Sequence, residues 1–192
     1  MKFFLDTADL DEIKEAMVMT RLGQMILDDG IRIGELRGRE AGTLDGFHDH
    51  IKRICELVDG PVSAETVATD REGIIREGRE LADLAPNVVV KVPTMVEGLA
   101  ATRAPTDQGV RVNMTLSFTV PQAILAARAG ARYVSPFIGR FDDISEDGLE
   151  QVGNIIAALG NYDFTGCSVG DEGVEVIAAS IRSANHVAQA AL

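Results

Sequence analysis

Short apolar runs rich in β-branched residues alternate along the chain with longer stretches in which apolar positions recur every three or four residues. The first pattern is typical of buried strands, and the second is typical of helices that pack on a sheet. Their alternation predicts βα units around a parallel sheet. Six strands are predicted, at residues 2–6, 61–67, 87–92, 110–115, 131–137 and 174–180.

The sequence also indicates where one helix begins and where the pattern predicts neither helix nor strand. Asp9 and Glu12 have the spacing of a capping box, so a helix is expected to begin just after the first strand. Residues 17–46 fit neither period for long, and within them residues 30–34 are at most a short second strand. Residues 165–173 have the composition of a loop. We interpret residues 1–192 as a single domain.

Composition and charge exclude several classes of protein. The formal net charge of −12 repels phosphate backbones, so nucleic acid is not an expected partner. No apolar run approaches the ~20 residues of a membrane span, and the start of the chain lacks a signal peptide, so a soluble cytoplasmic protein is predicted. The two cysteines, Cys55 and Cys167, lack metal-ligand spacing and are expected to be buried thiols.

Polar residues end or directly follow most of the predicted strands. Reacting groups of a closed parallel barrel lie at the carboxyl ends of its strands, so these side chains are expected to converge on one mouth. They are Asp6, Glu65, Lys91, Asn113, Thr115, Ser135, Arg140, Ser180 and Arg182.

Lys91 is the most informative of them, because it is a lone amine inside the apolar run 88–92. Desolvation disfavours the charged form of lysine, and a neutral amine is a nucleophile. The alternative is a strand lysine whose head group reaches solvent.

The two carboxylates each have two interpretations. Asp6 could act as a general base, although an aspartate just before a helix is more often a cap. Glu65 alternates inward with Ser63 and could move protons near Lys91, or it could form a simple ion pair.

Arg140 and Arg182 each follow a strand that carries a hydroxyl, Ser135 and Ser180 respectively. Arginine forks beside hydroxyl donors suit a phosphate dianion, and solvated loop arginines are the alternative. The sequence contains neither a dinucleotide glycine fingerprint nor a Gly-Lys-Ser phosphate loop, so no organic cofactor and no metal are predicted.

Several stretches resemble the small transaldolases, a family that includes fructose 6-phosphate aldolase. They cover roughly three quarters of the chain in collinear order, together with the helices between them. The stretches are 3–8, 59–65, 87–93, 113–116, 122–131, 133–140 with 142–144, and 178–182.

The resemblance implies a parallel (β/α)8 barrel in which Lys91 forms an imine with the C2 ketone of a ketose phosphate. Asp6 would take the C4 hydroxyl proton so that the C3–C4 bond breaks and a dihydroxyacetone enamine stays on Lys91. Glu65, with Thr115 and a water, would move protons during imine formation. Asn113 and Ser135 would bind the dihydroxyacetone unit, and the distal phosphate would be held by Arg140, Ser180 and Arg182.

Two positions favour one branch of this family. Transaldolases resemble the chain in having glutamate at position 65 and phenylalanine at the substrate-lining position 137, whereas the aldolases tend toward glutamine and tyrosine. A tyrosine hydroxyl could protonate the enamine, which Phe137 cannot do. The chain is therefore expected to be a transferase of the pentose phosphate pathway that acts on sugar phosphates. It is also expected to form a homo-oligomer.

Two departures leave alternatives open. The Gly-Val-Thr-Thr-Asn-Pro-Ser motif of the family's second strand corresponds here to residues 30–36, which lack its threonine and asparagine. The chain also ends at Leu192, before the family's eighth strand, so the barrel is expected to be incomplete. The alternatives are a fructose 6-phosphate aldolase, a catalytically weakened barrel that binds sugar phosphates, and a deoxyribose phosphate type of Schiff-base aldolase.

Overall fold

The computed structural model describes residues 4–19, 24–26, 44–171 and 173–192. The chain divides into two compact units, the first formed by Met1–Ala68 with Arg76–Lys91 and the second by Thr69–Ile75 with Val92–Leu192. One helix and one strand contribute residues to both units. They are α3 (Arg71–Ala82) and β4 (Val88–Pro93).

The first unit is a parallel sheet with helices in its connections. Its strands lie in the order β1, β2, β3, β4, and every neighbouring pair is parallel. Ile51 and Ile54 of the second helix are fully buried, as are Val62 and Val89 of the sheet. The elements are β1 (Phe4–Asp6), α1 (Leu10–Met19), β2 (Gln24–Ile26), α2 (Leu44–Leu57), β3 (Val62–Glu65) and β4.

The second unit repeats the same construction with strands β5, β6 and β7, which are again parallel neighbours. Its core includes Met114, Val134 and Ile155, which are fully buried. The elements are α4 (Val96–Thr106), β5 (Val112–Ser117), α5 (Val120–Ala129), β6 (Tyr133–Pro136), α6 (Ile138–Asp142), α7 (Gly148–Gly160), β7 (Glu175–Val176) and α8 (Ala184–Ala190), with a short 3-10 turn at Val169–Asp171.

These elements confirm the predicted α/β class with parallel strands. The strand predicted at 174–180 is shorter than expected, because regular pairing ends at Val176 and resumes only as an isolated bridge between Phe137 and Ala179. The second strand lies at Gln24–Ile26, in the segment whose pattern was illegible. The tentative strand at 30–34 lies outside the described residues.

Asp9 caps α1 as its sequence position predicts. Its Oδ1 accepts from the backbone amides of Asp11 and Glu12, and these bonds hold the pKa of its carboxyl below the usual value. The other half of the predicted capping box differs, because the Glu12 carboxylate accepts from the Thr7 hydroxyl.

The Asn87 side chain forms hydrogen bonds to the end of α2 and to the connection between α2 and β3. Its Nδ2 lies 3.3 Å from the Cys55 carbonyl oxygen, 2.9 Å from that of Val58 and 3.0 Å from that of Gly60. An amide nitrogen has two hydrogens, so it shares them among three acceptors. This contact satisfies carbonyls at the end of α2 that the helix itself leaves unpaired.

Candidate active site

Lys91 and Glu65 form an ion pair in the first unit. The two residues are register partners on the parallel strands β3 and β4, so their side chains extend from the same face of the sheet. Lys91 Nζ lies 3.2 Å from Glu65 Oε2, and the side chains are 2% and 18% exposed. The interpretation of Lys91 as a lysine that reaches solvent is therefore wrong. Glu65 is its ion-pair partner, and the role of Glu65 in moving protons stays a prediction.

The backbone of Lys91 is fixed by the chain that follows β3. The Thr66 amide donates to the Lys91 carbonyl at 3.0 Å, and the Thr66 hydroxyl lies 3.5 Å from the same oxygen. Since β4 is buried along its length from Val88 to Val92, the amine is held in a largely apolar strand.

Asp6 ends β1, where its backbone pairs with Ile26 of β2. Its side chain lies outside the described part of the structure. The helix that follows is capped by Asp9, three residues further along, so capping of α1 does not depend on Asp6. The role of Asp6 as a general base stays a prediction.

Asn113, Thr115 and Ser135 form a buried polar group on one face of the second unit. Thr115 is the register partner of Ser135, and Asn113 lies two residues before Thr115 on the same face. The Ser135 hydroxyl donates to Asn113 Oδ1 at 2.7 Å, and all three residues are 1% exposed or less. The structure thus brings together three of the predicted site residues.

Thr115 combines a fixed backbone with an unsatisfied hydroxyl. Its carbonyl accepts from both the amide and the hydroxyl of Thr94, at 2.8 and 2.7 Å. Its Oγ1 is buried and has no hydrogen-bond partner within the described residues. A buried polar atom of this kind costs stability unless a substrate or a water pairs with it, so the hydroxyl is a candidate for such a contact.

The strand is irregular immediately after Thr115. Leu116 has a φ of 59°, and the register with β6 shifts between Thr115 and Ser117. A bulge of this kind re-aims the neighbouring side chains, and bulges are common beside active sites.

Arg140 and Arg182 share one carboxylate, that of Asp143. Both terminal nitrogens of Arg182 bond to it, Nη1 to Oδ1 and Nη2 to Oδ2, the latter at 2.8 Å. Arg140 Nη1 lies 3.6 Å from Oδ2. The Arg182 guanidinium holds the pKa of Asp143 below its usual value, and Asp143 raises the pKa of Arg182.

Gly139 brings Ser180 and Arg182 against the turn between β6 and α6. Its amide donates to the Ser180 carbonyl at 3.1 Å. A Cβ atom at this position would lie 2.8 Å from that oxygen and 2.3 Å from Arg182 Nε, so no side chain fits here. Ser180 itself has a φ of 59°. The two arginines and Ser180 are therefore neighbours, and their role in holding a phosphate stays a prediction.

Sequence reasoning gave no role to Asp143, Thr94 or Gly139. The spacing of Arg140 and Asp143 on one helix is a signal for their contact, since residues three apart are neighbours on a helix. Nothing in the sequence pattern pairs Thr94 with Thr115 or Asp143 with Arg182. Within the described residues no helix could span a membrane, and no group of three or more His, Cys, Asp or Glu side chains could hold a metal.

Comparisons with known proteins identify the family of the chain. Residues 45–192 match the family model described as Transaldolase/Fructose-6-phosphate aldolase. The chain is 50% identical over 190 residues to a probable transaldolase of Porphyromonas gingivalis, covering 98% of this chain and 80% of that protein. It is 47% identical over 191 residues to a probable transaldolase of Anaeromyxobacter dehalogenans, covering 100% and 81%.

The fold also occurs in solved structures of other proteins. The structure of FabK from Thermotoga maritima superposes with a TM-score of 0.58 at 16% identity, covering 98% of this chain and 54% of that chain. At this identity the likeness concerns the fold alone.

Proposed function

Because this chain belongs to the transaldolase/fructose-6-phosphate aldolase family, we propose that it transfers a dihydroxyacetone unit between sugar phosphates through a Schiff base on Lys91. The observation that carries the proposal is the buried Lys91 amine with the Glu65 carboxylate 3.2 Å away. A lysine must lose a proton before it attacks a carbonyl, and this carboxylate is within reach to accept it.

The proposed covalent steps begin at Lys91 and also use Asp6. Lys91 Nζ adds to the C2 carbonyl of a ketose phosphate such as fructose 6-phosphate or sedoheptulose 7-phosphate, and loss of water gives an imine. Asp6 removes the proton of the C4 hydroxyl, the C3–C4 bond breaks, and the imine accepts the electron pair to become an enamine. An aldose phosphate leaves, and a second one accepts the three-carbon unit.

The other site residues of the proposal concern substrate recognition. The buried Asn113 and Ser135 side chains suit the hydroxyl and carbonyl oxygens of the three-carbon unit, because together they offer both donors and acceptors. The Thr115 hydroxyl, which has no described partner, suits a water that carries protons between Glu65 and the substrate. Arg140, Ser180 and Arg182 offer the charge and donors to hold the distal phosphate.

Phe137 favours transfer over simple cleavage. An enamine persists until an acid protonates it, and a phenyl ring at this position supplies none. The family includes aldolases as well as transaldolases, and the two curated relatives are both named probable transaldolases. Cytoplasmic location and a homo-oligomeric state are further parts of the proposal, and they rest on the sequence and the resemblance.

The test is borohydride reduction in the presence of fructose 6-phosphate, followed by peptide mass mapping. We expect one dihydroxyacetone-derived mass on Lys91. Lys14 and Lys52 are internal controls, since their side chains are 56% and 49% exposed and pair with neighbouring aspartates in water. Label on either of them, or no label, contradicts the Schiff base and leaves a sugar-phosphate-binding protein as the remaining alternative.

A further inference from the structure

Asp143 occupies the part of Arg182 that an anion would bind. The two carboxylate oxygens of Asp143 each face one terminal nitrogen of the guanidinium, which is the bidentate arrangement that arginine also makes with phosphate. Arg140 approaches the same carboxylate at 3.6 Å. The Asp143 carboxylate therefore lies where two arginines would meet a substrate oxyanion.

The Nε side of the Arg182 guanidinium faces Gly139. Nε lies so close to this residue that a Cβ atom there would be only 2.3 Å away. The edge formed by Nη1 and Nη2 is the one directed at Asp143, and the two side chains are 44% and 41% exposed. A phosphate that arrives from solvent meets an edge that already carries an anion.

We propose that Asp143 competes with the phosphate of the sugar substrate for Arg182 and so sets a limit on phosphate affinity. The proposal rests on the proposed function, which assigns Arg140, Ser180 and Arg182 to the phosphate. Binding exchanges one oxyanion for another at the guanidinium, with no net gain of ion pairs there. A transferase must release a phosphorylated product in each half-reaction, and a competing carboxylate assists that release.

The neighbouring charges give a matched control. Asp142 carries the same charge one residue earlier, and its Oδ2 lies 3.4 Å from His186 Nε2. The His186 ring in turn accepts from the Arg182 amide at 3.3 Å through Nδ1. Asp142 thus contacts His186, whereas Asp143 contacts the guanidinium. Asp142→Asn thus removes equal charge without removing the competitor.

The experiment is calorimetric titration of inorganic phosphate into the wild type, Asp143→Asn, Asp142→Asn and Arg182→Ala. We expect Asp143→Asn to bind phosphate about two- to fivefold more tightly, since exposed ion pairs of this kind have modest strength. Asp142→Asn should change the dissociation constant less, and Arg182→Ala should weaken binding. A variant that is merely less stable would not bind phosphate more tightly.

Three results would overturn the competition. Weaker or unchanged phosphate binding by Asp143→Asn would make Asp143 a positioning residue for Arg182. An equal gain in Asp142→Asn would reduce the effect to general charge. Unchanged binding by Arg182→Ala would remove Arg182 from the anion site. Borohydride trapping with unphosphorylated dihydroxyacetone tests Lys91 without any phosphate, so failure of the proposed chemistry can be distinguished from each of these results.

Discussion

Phe137 lies at the point where β6 gives way to α6. Its backbone forms a bridge with Ala179, and it is the residue that precedes the first turn of α6, so its position is fixed from both sides. The side chain is half-buried and carries no proton donor. A hydroxyl added to this ring would therefore be presented from a fixed backbone.

Phe137→Tyr is expected to shift the reaction from transfer toward release. The tyrosine would protonate the enamine on Lys91, and we expect the ratio of free dihydroxyacetone to transferred product to rise about tenfold, below the ~10²-fold of a fully positioned acid. The assay uses fructose 6-phosphate with and without erythrose 4-phosphate. Phe137→Leu is the control, because it removes the ring without adding an acid. An unchanged ratio in Phe137→Tyr would refute the role assigned to position 137.

Single residues could be predicted from the sequence where a polar residue interrupts an apolar segment. Lys91 stands out in the sequence because a single amine interrupts an apolar run, and its side chain is buried as that pattern predicts. Its role as a nucleophile stays a prediction. The contact of Asp143 with Arg182 could not be predicted, because the two residues are 39 positions apart and both belong to polar segments. The unsatisfied hydroxyl of Thr115 is likewise a result of tertiary packing.

Asn87 is the clearest example of one side chain that stabilises the connection between elements. Replacing it by alanine leaves the carbonyls of Val58 and Gly60 without their donor, and that of Cys55 without its longer contact. We expect Asn87→Ala to lower the free energy of unfolding by about 2 kcal/mol, the sum of two modest hydrogen bonds. Urea denaturation measures it.

The control for this substitution is Asn154→Ala, on the exposed face of α7. Surface changes of this kind stay within about 0.5 kcal/mol. Equal effects from both variants would show that the three carbonyls do not depend on the Asn87 amide.

Strands were predictable where their patterns are local. The strand predicted at 87–92 is observed at Val88–Pro93, because a run of β-branched residues buried on both faces has few other structures available. The strand predicted at 174–180 was too long, because regular pairing with β6 ends at Val176 and only an isolated bridge at Ala179 follows. Gln24–Ile26 carries no periodic signal in three residues, so only pairing with β1 and β3 defines it.

For the whole molecule, lowered carboxyl pKa values make stability depend on pH in the acid range. Among the described residues, the pKa values of three aspartates are lowered from the ordinary value of 3.8. Asp9 is affected by the backbone amides of Asp11 and Glu12, Asp143 by Arg182, and Asp163 by Thr165. The unfolded chain therefore binds more protons than the native chain near and below that pH, and stability falls as the pH falls through this window.

Asp9→Asn isolates one of these contributions. Asparagine is also a good helix cap, so stability near neutral pH should be nearly unchanged. Because asparagine does not titrate, we expect the variant to lose less stability than the wild type between about pH 6 and about pH 3. Urea unfolding at both pH values measures the difference, and identical losses would contradict the assigned pKa of Asp9. General charge repulsion is nearly the same in both proteins, so the comparison largely removes it.

The order in which the ribosome synthesises the chain gives the Asn87 contact a further consequence. The Cys55, Val58 and Gly60 carbonyls emerge 27 to 32 residues before the amide that binds them. A nascent chain that extends only through β3 lacks the donor that satisfies them. The end of α2 therefore acquires its native bonding only when β4 begins to appear, which couples completion of this helix during translation to arrival of the strand that carries Lys91.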